Sequence, residues 1–313
     1  MREHPAYRYY VLALLTLTLM FSVADRLVLS ILLQDIKRDF ALSDSQLGLL
    51  AGFAFTLFYV IAGFPMARLA DRANRKSIVA AALGFWSLMT ALSGAAVGFW
   101  SLFLARIGVG MGEGGSGPSS QSLLADYFRP KELPRAMGFL TLGSTIGTAS
   151  GLMAGGLFAS LYGWRMSFIL LGIPGMLLGL LLFTTVREPQ RGRYSPGGTD
   201  SAAQRPLGAT VRSLLANRAY LGLIVGYAVQ IMIGYAIAIW MAPIMLRSFA
   251  LTTREVGFYL GLAFVLGGIP GPILGGVLGE WLSHRDVRWF AWIPGLAGIL
   301  CLPPLWLSLS ATT

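Results

Sequence analysis

One cysteine (Cys301) and two histidines (His4, His284) are all that 313 residues supply of the commonest metal and redox ligands. A single thiol excludes an internal disulfide. Both histidines lie outside the apolar stretches and no Cys or Asp cluster joins them, so no metal-ligand spacing exists. No nucleophile–base pair stands out either, which ranks a membrane-embedded enzyme low. No cofactor and no metal are expected. Charge is equally scarce. Asp, Glu, Lys and Arg make up 12% of the chain, where a soluble protein carries about a quarter. With 55% hydrophobic residues, the composition is that of helices facing lipid.

Long apolar runs fill that picture. Stretches of about 18 or more apolar residues read as spanning helices, and nine occur: 9–34, 46–67, 78–98, 99–125, 136–161, 166–186, 216–246, 256–282 and 289–309. The net charge of +10 is distributed unevenly around them. Seventeen of the 24 Lys and Arg fall on the N-terminus and the even-numbered loops, five on the opposite side, and Arg26 and Arg106 inside helices. Basic residues concentrate on cytoplasmic loops, so the N-terminus is expected in the cytoplasm. The basic excess thus reflects topology and contact with membrane lipids; nucleic acid is not an expected partner. Arg2 and Arg8 before an apolar run, with Ser22-Val23-Ala24 beyond, also fit a signal peptide. The run continues to Leu33 and eight more follow, so an uncleaved first helix is expected.

The expected organisation is a six-helix N-terminal bundle (1–186), a basic linker (187–215) and three further helices (216–313). The linker, rich in Arg, Gly, Pro and Ser, is expected to end in a short amphipathic helix near Val211–Leu215. Transporters are commonly built from six-helix halves related by internal symmetry, so the second unit reads as incomplete by three spans. ARLADRANRK (67–76) and GVLGEWLSHR (276–285) form a faint internal echo, each placing Leu two positions before an acid, Asp71 or Glu280.

Four charges break the apolar runs: Asp25 and Arg26 in the first, Arg106 and Glu113 in the fourth. Ionisable groups at membrane depth mark cavities and pathways by default; structural ion bridges between helices one and four are the alternative. Neighbours on a helix project about 100° apart, so Asp25 and Arg26 are not expected to pair with each other. Arg106 and Glu113, two turns apart, share a face without having to touch. Arginine keeps its proton, whereas a carboxylate can take one up. Glu113, with Asp25, is therefore the expected proton carrier, and Arg26 and Arg106 the expected holders of an anionic substrate. Helix seven offers Tyr227, Gln230, Tyr235 and Trp240 as cavity-lining or interfacial groups.

Glycine supplies the remaining pattern. Gly110 to Gly115 formally fit G-x-G-x-x-G, but a dinucleotide fingerprint needs a preceding strand, and the flanks here are membrane-length runs. Gly108 and Gly112 instead form a small-xxx-small edge, and Gly147, Gly151 and Gly155, with Gly156, form another in GTASGLMAGG. Such edges let helix backbones approach closely.

ARLADRANRK resembles the signature loop between helices two and three of the major facilitator superfamily, with Ala67 and Asn74 in place of its two glycines. GTASGLMAGG is similar to that family's fifth-helix motif, with Leu152 where proline is usual. The resemblance implies an all-α polytopic membrane protein, a major-facilitator-type helical bundle. It also implies a conformational latch at Asp71, Arg72, Arg75 and Lys76. Residues 24–55, 104–128, 161–175 and 283–292 resemble the Spinster branch. That implies the four charges lie in a central cavity. It further implies a proton-coupled secondary transporter of a small amphipathic, anionic substrate such as a lysophospholipid, in a bacterial inner membrane. A transporter of small organic anions or drugs and a passive facilitator are the rivals. A chain inert alone, or completed by dimerisation, is a further possibility.

Overall fold

The computed structural model describes residues 5–194, 212–286 and 288–310; most of the proposed linker lies outside them. All regular structure among these residues is helical. The helices are α1 (Pro5–Phe40), α2 (Asp44–Gly48), α3 (Ala54–Ala70), α4 (Arg75–Gly94), α5 (Phe99–Glu113), α6 (Ser116–Tyr127), α7 (Leu133–Tyr162), α8 (Trp164–Thr185), α9 (Arg218–Ser248), α10 (Thr253–Gly268), α11 (Pro270–Ser283) and α12 (Trp289–Ser310). Joined end to end at their breaks, they form nine rods in the places of the nine apolar runs. Six meet the length and hydropathy needed to cross a membrane, and the protein is an all-α polytopic membrane protein.

Three rods are interrupted where the sequence reads as continuous. The second begins as α2, passes through a π-helical turn, Leu49–Phe53, and continues as α3. The fourth breaks at Gly114-Gly115, between α5 and α6. Pro118 has no N–H to give the carbonyl of Gly114, so the ladder lapses one turn earlier. The eighth breaks at Ile269 for the same reason, ahead of Pro270. The first rod is longer than expected: α1 runs on through Lys37 and Arg38, which read as loop residues. Residues 212–215 are helical, within the expected amphipathic segment, while Val211 lies outside the described residues. The echo of 67–76 and 276–285 falls at the ends of α3 and α11.

Apolar burial alone cannot choose helix partners in lipid; close packing through small residues does. Along α7, a Cβ on Gly147 would sit 2.4 Å from the carbonyl oxygen of Met20, and one on Gly151 2.6 Å from that of Ala24. Gly155 faces the side chain of Val28, so α7 lies directly on α1. Its neighbour Gly156 meets Thr253 and Gly257 of α10. On α5, Gly108 and Gly112 abut Met89 and Trp86 of α4. Two buried apolar clusters result. One gathers Leu15, Leu83, Trp86, Val109, Leu124 and Leu182; the other gathers Leu29, Ile36, Leu47, Leu50, Phe168 and Val256. On α1 the polar residues Ser22, Asp25 and Arg26 fall where one cluster gives way to the other.

Candidate functional site

The four intramembrane charges form two ion pairs, both between α1 and α5. Arg26 holds Glu113 through Nη2 at 2.5 Å and Nε at 2.8 Å, both on Oε2. Arg106 donates from Nη1 to Asp25 Oδ2 at 3.0 Å. The pairing crosses: the two neighbours on α1 diverge around the helix, and each finds an opposite charge on α5. Arg106 and Glu113 share a helix without meeting each other.

The pairs differ in their surroundings. Asp25 also accepts a 2.6 Å hydrogen bond from Thr90 of α4. Arg106 is 1% exposed and Asp25 4%. Beside Asp25 lies a small pocket of about 10 Å³, walled by Phe21, Trp86 and Thr90. That space is at the lower limit for a single water, and with both side chains almost fully covered this pair sits inside packed protein. The other pair reaches outward. Glu113 is 1% exposed, but the Arg26 side chain is 17% exposed, and its Nη1 donates to the hydroxyl of Tyr235 on α9 at 3.0 Å.

Aromatic groups frame both cations. The Arg26 guanidinium stands 4.8 Å from the ring centre of Phe55 and 5.2 Å from that of Tyr59. Arg106 lies 5.8 Å from the ring centre of Phe55 as well. Ring faces carry negative charge and attract cations. Phe55 follows the π turn, a device that frequently marks functional sites because it re-aims side chains within a helix. Ser22 completes the set, donating to Glu113 Oε2 at 2.6 Å. Glu113 Oε1 and Arg106 Nε are buried with no hydrogen-bond partner.

Polar contacts from α9 to α1 and the start of α2 run from this site toward Asp44. Ser30 donates to the carbonyl of Ile239 at 2.5 Å. Arg247 donates to Gln34 at 3.1 Å and to Asp44 at 2.6 Å. Toward the other end α9 stands free: every residue from Gly222 to Ile237 is exposed. Tyr227 and Gln230 lie in that exposed stretch, and of the four candidates on α9, Trp240 included, only Tyr235 is bonded to one of the four charges.

The signature loop is tied down by neighbours the sequence did not reveal. Arg75 is 2% exposed; it donates to Asp126 at 2.6 Å, to Glu188 at 2.7 Å and to the Ser122 side chain at 3.0 Å. The backbone N–H of Lys76 donates to Glu188 at 2.9 Å and its ammonium to the carbonyl of Phe183 at 3.1 Å. Arg191 donates to the carbonyls of Ala70, Asp71 and Ala73, closing the end of α3. The Asp71 and Arg72 side chains are exposed. These partners all lie between α3 and the start of the linker, so the contacts fasten the second, third, fourth and sixth rods to one another and to the linker's first residues.

Ser22, Phe55, Tyr59, Thr90, Asp126, Glu188 and Arg191 escaped the sequence reading. An Asp in ADYF and a Glu in REP, at the ends of apolar runs, were the available signals for two of them. The aromatic and hydroxyl partners carry no local signal at all.

Known proteins share this fold. Residues 14–313 match the Major Facilitator Superfamily model. An MFS-type efflux pump of Mycolicibacterium smegmatis is 30% identical over 302 residues, covering 96% of this chain and 69% of that protein. A probable L-galactonate transporter of Escherichia coli is 29% identical over 266 residues, covering 82% and 58%. A crystal structure of a bacterial homologue of the human lysosomal transporter Spinster, inward-facing and unoccupied, superposes with a TM-score of 0.81 at 33% identity. The superposition covers 90% of this chain and 64% of that one. The chain thus spans roughly three-fifths to two-thirds of the length of these relatives. It belongs to the Major Facilitator Superfamily, with a Spinster-type transporter as its structural neighbour.

Proposed function

We propose that this chain carries the substrate-binding and proton-coupling residues of a secondary transporter for a small amphipathic anion, of the lysophospholipid kind, working by alternating access. The observation that carries the reading is the exposed edge of Arg26, shared between Glu113 and Tyr235. Arg26 is a permanent cation, and Glu113 is the group that can give up its claim on it. Protonation of Glu113, whose Oε1 has no partner to lose, would free the guanidinium for a phosphate or carboxylate. Departure of the proton would restore the pair and expel the anion. Phe55 and Tyr59, with the exposed apolar length of α9, would suit an acyl chain beside such a headgroup.

In this reading residues 1–186 and 216–313 rock against each other about the 187–215 linker. The contacts from Ser30 to Asp44 close one end of the site, and the free stretch of α9 marks the open one. Placing the N-terminus in the cytoplasm follows from the seventeen-to-five distribution of basic residues. The second ion pair, Arg106 with Asp25, would hold α1 on α5 and keep Arg26 aimed outward. The arginine fork serves a small organic anion equally well. The likeness to a probable L-galactonate transporter favours that second reading of the substrate.

The test is uptake into proteoliposomes under an imposed pH gradient, with a lysophospholipid and a sugar-acid anion offered in turn. Arg26→Gln is expected to abolish uptake. Glu113→Gln is expected to abolish the response to the gradient while leaving binding measurable. Full gradient-driven uptake by Glu113→Gln would sink the proton assignment. Uptake without any gradient dependence in the unaltered protein would make it a passive facilitator.

A further inference from the structure

A second lipid-sized site lies on the opposite face of α1. A groove of about 910 Å³ runs between α1 and α7, near their N-terminal ends. Its walls are apolar, and the side chains are open to the surroundings: Leu17 is 39% exposed, Phe139 47% and Ile146 45%. At one end the lining turns cationic, with Lys131 and Arg135. We propose that this groove binds one anionic phospholipid from the leaflet that faces the basic loops, with its phosphate on Lys131 and Arg135 and an acyl chain along Phe139 and Ile146.

Charge supports that occupant. Glu132 is the one acid in the groove lining, and it is already neutralised. Arg8 grips it through two hydrogen bonds, at 2.7 and 3.0 Å. The Arg8 guanidinium is itself fixed over Tyr9 and Phe128, 5.0 and 5.3 Å from their ring centres. Lys131 and Arg135 make no ion pair among the described residues, so the rim carries two uncompensated positive charges. Such charges at a membrane surface attract anionic lipid.

Length supports it too. From Arg135 to Ile146 is eleven residues, about 16 Å of helix. One leaflet of a bilayer's hydrocarbon core is about 15 Å deep. A chain lying along α7 therefore ends near the midplane with its phosphate at the cationic rim. Nine residues separate Leu17 from Arg26, about two and a half turns, so they point to opposite sides of α1. The groove is not the transport site, and occupancy of one can be lost without the other.

The experiment is lipid binding to the purified full chain in neutral detergent. Phosphatidylglycerol and phosphatidylcholine of the same chain length are compared by native mass spectrometry and by thermal unfolding. Phosphatidylglycerol is expected to stay bound at one per chain and to raise Tm more than phosphatidylcholine. The pair Lys131→Gln with Arg135→Gln is expected to weaken phosphatidylglycerol about thirtyfold, taking about 1 kcal/mol for each charge near the surface. Ile146→Trp, which fills the apolar end and leaves both charges, is expected to remove the single bound lipid as well. Arg26→Gln is expected to leave binding unchanged. Equal retention of the two lipids would overturn the proposal, reducing the groove to ordinary bilayer contact. Undiminished preference for phosphatidylglycerol in the double variant would overturn it as well. Loss of binding in Arg26→Gln would move the lipid to the transport site and so overturn it.

Discussion

Glu113 Oε2 takes three hydrogen bonds, from Ser22 and from two nitrogens of Arg26, while Glu113 Oε1 takes none. All the stabilisation falls on one oxygen. The geometry of the Arg26 fork is therefore part of the site, beyond its charge alone.

Arg26→Lys tests this directly. Lysine keeps the positive charge but presents one nitrogen in place of a planar fork. Transport is expected to fall on the order of tenfold, one lost charge-assisted hydrogen bond's worth. Initial rates in proteoliposomes are the measurement, and an unchanged rate would reduce Arg26 to a point charge.

The buried Arg106–Asp25 pair should behave as a unit. Removing one member strands the other charge in packed protein, at a cost of about 3–5 kcal/mol. Arg106→Gln and Asp25→Asn are each expected to lower thermal stability in detergent strongly. Combined, they should cost far less than the two separate losses added together. Simple additivity would mean that the pair is not coupled.

Gly151 lies against the backbone of α1, where a Cβ would meet the Ala24 carbonyl oxygen at 2.6 Å. Backbone cannot step aside as a flexible side chain can. Gly151→Ala is expected to push α7 off α1 and cost about 1–3 kcal/mol. Gly138, whose added Cβ would meet nothing within 4 Å, is the control on the same helix. Matching unfolding temperatures for the two alanine variants would contradict this packing.

The Arg8–Glu132 pair predicts a pH effect. Hydrogen bonding from Arg8 holds the Glu132 carboxyl below its ordinary value of 4.5. A group with a depressed folded pKa adds stability above its unfolded value and loses that contribution as pH falls through the folded one. Unfolding temperature is expected to decline on acidification below about pH 4.5, with a shallower decline in Glu132→Gln. The same slope in both proteins would remove Glu132 from the account. The site is exposed, and added salt should weaken the effect.

Hydrophobicity is a local property, and so the nine rods, their approximate ends and the uneven basic loops could all be read along the chain. So could the four charges, since an ionised side chain in an apolar run needs either a cavity or an ion partner. Helical geometry alone kept Asp25 and Arg26 from pairing with each other. It could not name their partners, because Glu113 and Arg106 lie 87 and 81 residues away. That choice belongs to the helix packing that brings the side chains of α5 within reach of those of α1. The same packing opened Arg26 to Tyr235 and enclosed Arg106 and Asp25 among Thr90 and Trp86. Arg75 likewise could be expected in a latch from its motif, but its partners Asp126 and Glu188 are brought to it only by the fold. Sequence fixes which groups are chargeable and how deep they sit; only the tertiary structure decides which of them stay within reach of a ligand, because reach depends on neighbours that the chain brings together from far apart.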